Sequence, residues 1–122
     1  ADFSLVPLAV GRASAADVAD VLEKLWGGGE TLIVVSSDLS HYLSYDEARK
    51  LDARTSEAVE ALDGDAIGDA QACGRIPMKG LLYQARRRQM SVSTVDLRNS
   101  GDTAGPRDQV VGYGAWVFRE DG

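Results

Sequence analysis

One cysteine and one histidine stand in these 122 residues. A lone cysteine cannot close an internal disulfide, which excludes a disulfide-stapled scaffold and fits a reducing compartment. Classical metal and nucleophile signatures are missing too. There is no H-E-x-x-H, no C-x-x-C, and no G-x-S-x-G around Ser36, Ser37 or Ser40. Positive charge is in deficit, with 13 Lys and Arg against 19 Asp and Glu and a net charge of −6. That balance argues against nucleic acid as a partner, because phosphate binding needs clustered basic residues. The one basic run, Arg86-Arg87-Arg88, falls at the end of a predicted helix, where it complements the helix dipole. No apolar run approaches the roughly 18 residues of a membrane span, and no signal-peptide pattern is seen. No membrane partner is expected, and the expected compartment is the cytoplasm. The chain also lacks an initial Met and enters a strand-like run almost at once, as expected of a piece of a longer polypeptide.

What is present reads as one globular domain over residues 1–122, with 44% hydrophobic and 26% charged residues. Residues 3–10 predict a strand that either sits near an edge or begins late, because Pro7 donates no ladder bond. Ser14-Ala15-Ala16-Asp17 predicts a helix start. Val18, Val21, Leu22 and Leu25 follow on one face, and Gly27-Gly28-Gly29 ends the helix. Thr31 to Val35 is a continuous, largely β-branched run, the pattern of a strand buried on both faces of a parallel sheet. Strand, helix, strand at this spacing is a βαβ unit. In such sheets sites gather at the carboxyl ends of the strands.

Ser36-Ser37-Asp38-Leu39-Ser40-His41 lies at that end. Ser44-Tyr45-Asp46-Glu47 then forms a full capping box, opening a helix to about Leu62 with Ala48, Leu51, Thr55, Ala58, Val59 and Leu62 inward. A short helix or turn follows over 65–72. Pro77 suits the first turn of another helix, with Met78, Leu81, Leu82 and Ala85 inward. Strands are predicted over 91–97 and 110–118, separated by a polar loop from Asn99 to Arg107. Gly112 and Gly114 share one face of the last strand, where glycines signal a close approach.

Chemistry could sit in two stretches. His41 follows Asp38 by three residues, and a carboxylate beside an imidazole fixes its tautomer and raises its basicity. That serves a general base or a metal ligand equally well, while a plain turn histidine beside a helix cap has the same spacing. Cys73 precedes a helix start and Arg75 follows it by two, both of which favour a thiolate. A buried cysteine packing as a small hydrophobe fits as well. Ser100-Gly101-Asp102 reads as a loop turn or a substrate contact.

Together these residues resemble a known family. Val35-Ser36-Ser37-Asp38-Leu39-Ser40-His41-Tyr42, Leu51-Asp52, Cys73-Gly74-Arg75-Ile76-Pro77, Asn99-Ser100-Gly101-Asp102 and Val110-Val111-Gly112-Tyr113-Gly114-Ala115 come in the order seen in the Memo family. That family is also called AmmeMemoRadiSam system protein B. The resemblance covers nearly the whole chain and the carboxyl-terminal half of a family member. It implies a fold similar to the LigB-like class III extradiol dioxygenases: an α/β/α sandwich with a mixed, largely parallel central sheet. It further implies a metal pocket in which Cys73 is a ligand, His41 a ligand and proton carrier, and Asp38 its catalytic partner. Arg75, Ser100 and Asp102 become the substrate-binding candidates. A thiolate ligand favours iron or copper over magnesium. The family's other pocket histidines come from its amino-terminal half, so either a second chain completes the pocket, or this chain binds metal poorly, or the metal role is absent.

The leading expectation is thus a Memo-like protein with a non-haem iron or copper site for redox or dioxygenase-type chemistry on a small molecule. Two alternatives remain: metal-free thiol chemistry, with Cys73 attacking and His41 as base, and a non-catalytic module binding a peptide or small ligand.

Overall fold

A computed structural model describes residues 2–120. Three α-helices and a three-stranded sheet make up the regular structure of those residues. Helix α1 spans Ala15–Leu25 and opens where Ser14 Oγ accepts the Asp17 N–H at 3.0 Å. Gly27 follows it in the left-handed region at φ 65°, as a helix-ending glycine should. Strand β1 is short, His41–Leu43, and α2 runs Tyr45–Glu60 from its cap at Ser44. A 3-10 turn at Gly64–Ala66 leads on to α3, Arg75–Arg87. Strands β2, Ser91–Asn99, and β3, Val110–Arg119, flank a second 3-10 turn at Ser100–Asp102.

The sheet order is β1-β3-β2 and both pairings are antiparallel. This corrects the expectation of a largely parallel sheet. The two runs expected to pair in parallel, 3–10 and 31–35, form no ladder with any described residue. Leu32 and Val34 are 85% and 76% exposed. The largely β-branched run suits a pleated, buried surface, but a strand exists only where a neighbour takes its N–H and C=O groups. The described residues supply none. From Tyr113 onward the matching edge of β3 is equally without a partner among them. Between that edge, α3 and the 31–35 run lies a cavity of about 690 Å³.

Helices cover one face of the sheet. Val59 and Ala58 of α2, Met78 and Leu82 of α3, and Leu39 and Ile67 from the connecting segments form the core. Trp116 and Phe118 of β3 pack against it, as the alternation along that strand predicts. The Trp116 indole N–H reaches Ser56 Oγ at 3.2 Å, so its polar edge is satisfied. Helix α1 lies against α3 through Gly80, where any Cβ would collide with Val18. Val95, Leu97, Tyr113 and Val117 leave the opposite face uncovered among the described residues. The arrangement there is two layers rather than a three-layer sandwich. No described helix is long and apolar enough to cross a membrane.

Candidate metal centre

The turn from Ser36 to Ser40 is held from two sides. From the α3 side, Ser37 Oγ accepts the Gly74 N–H at 2.8 Å and donates to the Asp38 carbonyl at 2.6 Å. The same carbonyl accepts the Cys73 N–H at 3.3 Å. This lacing is close because residue 74 is glycine: a Cβ would stand 2.7 Å from the Ser36 carbonyl oxygen and from Ser37 Cβ. From the sheet side, the Leu39 N–H donates to the Gly112 carbonyl at 2.8 Å, and the Gly112 N–H donates to the Ser40 carbonyl at 2.9 Å. Pairing of His41 with Val111 continues that ladder. Tyr42 then enters the left-handed region at φ 62°, and the register shifts between His41 and Leu43. A bulge of this kind re-aims neighbouring side chains, and here the neighbour is His41.

The turn and the approach to α3 bring three donors together. One ligand atom each from Asp38, His41 and Cys73 lies within 4.8 Å of the others. His41 Nε2 stands 3.8 Å from Asp38 Oδ2. Cys73 Sγ accepts the Asp38 backbone N–H at 3.3 Å and lies 3.7 Å from Ser37 Oγ. All three side chains are exposed, Cys73 included, and its thiol is free.

The other candidates have partners of their own. Arg75 Nε donates to Asp69 Oδ1 at 3.0 Å in the first turn of α3. Ser100 Oγ accepts the N–H of Val111, the residue paired with His41. Asp102 accepts the Tyr45 hydroxyl and, at 3.0 Å, the Asn99 N–H. The Tyr45 bond, then the Asn99 bond, holds the Asp102 carboxyl below its ordinary range, and the Tyr45 phenol is pushed up by the same bond. Arg107 lies over the Tyr45 ring at 4.2 Å. Asp38, His41 and Cys73 therefore form one group, while Ser100 and Asp102 brace the loop before β3.

Three residues outside the donor group complete the picture, and of these only Gly112 was expected from the sequence, as a close approach. Gly74 and Gly112 set the two close approaches. Asp52, buried on α2, accepts the Ser40 N–H at 3.1 Å through Oδ1. Its signal was present: an acid four residues after Ala48, on the inward side of an otherwise apolar or small-residue face.

Known proteins place the chain independently. A family model described as Memo-like protein matches residues 1–117. A MEMO1 family protein of Archaeoglobus fulgidus is 30% identical over 129 aligned positions, taking in 97% of this chain and 49% of its own length. A MEMO1 family protein of Methanosarcina mazei is 29% identical, with 95% and 48% covered. One from Aquifex aeolicus is 32% identical, with 96% and 48% covered. The chain spans about half the length of the curated relatives it matches.

Proposed function

The chain belongs to the Memo family, and from that premise we propose that Asp38, His41 and Cys73 hold a redox-active iron or copper ion. The observation that carries this reading is the convergence of a carboxylate oxygen, an imidazole nitrogen and a sulfur within 4.8 Å. Bonds of about 2.0–2.3 Å to one ion put tetrahedral donors roughly 3.3–3.8 Å apart. The observed separations are within about an ångström of that range, and exposed side chains can turn to meet it. The donor set fits in number and kind. Cys73 supplies the soft ligand that favours iron or copper over magnesium.

A bound iron or copper ion would supply one-electron chemistry and access to dioxygen. The chain's own residues do the rest. Asp38, at 3.8 Å, orients the His41 ring. His41, being exposed, exchanges protons with a small-molecule substrate or water. Arg75, two residues from Cys73 and partly exposed, is the substrate-binding residue this reading keeps. Remaining ligands would come from water, substrate or a second chain. In the whole protein, the reading places the 3–10 and 31–35 runs as candidate parallel strands of an α/β/α sandwich. The lone free cysteine supports a reducing, cytoplasmic setting.

The test is metal content of protein purified without chelating resin, with His41→Ala and Cys73→Ala alongside. Near-stoichiometric iron or copper in wild type, lost in both variants and removed by a chelator, is the expected result. Three folded proteins that take up neither metal would refute it. A second reading has its own support in the Asp38 N–H and Ser37 hydroxyl set against Cys73 Sγ. Metal-free thiol chemistry would survive chelation, with rapid iodoacetamide labelling of Cys73 well below the ordinary thiol pKa of about 8.5.

A further inference from the structure

Asp52 is the one carboxylate buried among the described residues, 3% exposed and set on the inward face of α2. A buried carboxylate is costly unless its bonds repay the burial. Burial pushes this carboxyl up, and the Ser40 N–H and then the Ser40 hydroxyl pull it partly back. Its Oδ1 takes that N–H at 3.1 Å. Its other oxygen faces Gly112, where a Cβ would stand 2.7 Å from Asp52 Cγ and nearer still to Oδ2. Gly112 in turn bonds Leu39 and Ser40 through its own N–H and C=O. Leu39 and Ser40 are the two residues between Asp38 and His41, and both are buried. The bond with full geometry to this segment is the one from the Ser40 backbone N–H, and the buried Ser40 hydroxyl adds a weaker pull on the same carboxyl.

We propose that Asp52 is the positioning residue of the metal centre, clamping Leu39-Ser40 against Gly112 so that Asp38 and His41 converge on Cys73. For its ligand the inference rests on the metal reading above; for the clamp it rests on the geometry of the turn. Asp52 touches no ligand atom itself. It acts through a backbone amide, so an acceptor of the same shape should replace it.

The experiment compares wild type, Asp52→Asn, Asp52→Ala and Leu22→Ala in the full chain. The probe is cobalt(II), read by thiolate-to-cobalt absorption. Asp52→Ala should weaken cobalt binding about 10–100-fold. Asp52→Asn keeps an oxygen for the Ser40 N–H and should recover most of that loss. Leu22→Ala opens a cavity under α1, outside the cluster that holds Leu39, so it should lower the melting temperature and leave cobalt affinity unchanged. In metal-free protein, hydrogen exchange at the Ser40 and Gly112 amides should quicken in Asp52→Ala and not in Asp52→Asn. Unchanged cobalt affinity in folded Asp52→Ala overturns the proposal, as does a loss in Asp52→Asn as large as in Asp52→Ala. If Asp52→Ala does not fold, Asp52→Leu, which fills the space without an acceptor, takes its place. If wild type binds no cobalt, iron or copper, the metal reading fails, and the Ser40 amide alone decides whether Asp52 is the clamp.

Discussion

Gly112→Ala is the substitution whose cost can be worked most directly from the coordinates. The added Cβ would stand 2.7 Å from Asp52 Cγ and 2.9 Å from Oδ1, with Oδ2 nearer than either. Asp52 cannot turn away without giving up the Ser40 N–H, which is buried and bonded to Oδ1. Overpacking of this kind costs about 1–3 kcal/mol. Stranding the Ser40 amide costs about 1–3 kcal/mol more. Removing a flexible glycine from the unfolded chain returns about 0.5–1 kcal/mol. The balance is a loss of about 1–5 kcal/mol, or roughly 3–25 °C in melting temperature for a chain of this size. The assay is thermal and urea unfolding of wild type, Gly112→Ala, Asp52→Ala and the double variant. Removing the carboxylate makes room for the methyl group, so the double variant should be more stable than the two single losses predict, by at least about 1 kcal/mol. Additive losses, or a Gly112→Ala melting point within about 2 °C of wild type, would refute the close approach as the reason for the glycine.

Other expectations follow from neighbouring features. Gly74→Ala places a methyl 2.7 Å from the Ser36 carbonyl, so it should part Cys73 from Asp38 and weaken cobalt binding about tenfold or more; an unchanged cobalt titration would count against the lacing. The Asp102 carboxyl is lowered in the folded chain, first by Tyr45, so its contribution is present above the unfolded value near 4 and fades as pH falls through the lower folded value. The stability gap between wild type and Tyr45→Phe should therefore narrow below about pH 4, and a constant gap across an acid urea series would contradict the pairing. Asp52 is shifted upward, so its linkage runs the other way, with stability lost as pH rises through the folded value. Asp52→Asn should show a smaller fall in urea midpoint between about pH 4 and 7 than wild type. Trp116→Phe loses the indole bond to Ser56 and part of the ring packed over Gly114, and unfolding should show a loss of at least about 1 kcal/mol.

Local signals in the chain were legible where the structure uses local physics. The caps at Ser14 and Ser44, the last strand, and the glycine approach at Gly112 depend on residues a few positions apart or on period-two alternation. The serines of the turn were readable as backbone partners, and Ser37 is one. Sheet direction was not legible in the same way. The Thr31 to Val35 run has the composition of a buried strand, but pairing is a property of two segments, and no described residue completes it. Asp38 and His41 could be grouped by spacing. That Cys73 joins them depends on Gly74 closing on Ser36 and Ser37, a contact no local pattern encodes. Asp52 stayed hidden because an acid on a helix is ordinarily solvated; its partner is an amide on another element.

The clamp between Leu39-Ser40 and Gly112 also bears on the order in which the molecule assembles. Strands β2 and β3 are joined by a short polar loop, so their pairing closes early and at small entropic cost. The clamp instead joins segments separated by most of the chain, with α2, α3 and β2 between them. Contacts of such high separation form late. Substitutions at Ser40, Asp52 or Gly112 should therefore act mainly on the unfolding rate, and those in the β2–β3 pair mainly on the folding rate. On that order the His41 side of the donor group is fixed after the β2–β3 pair has closed. An ion bound there would act as a kinetic latch, slowing the step by which the molecule first opens.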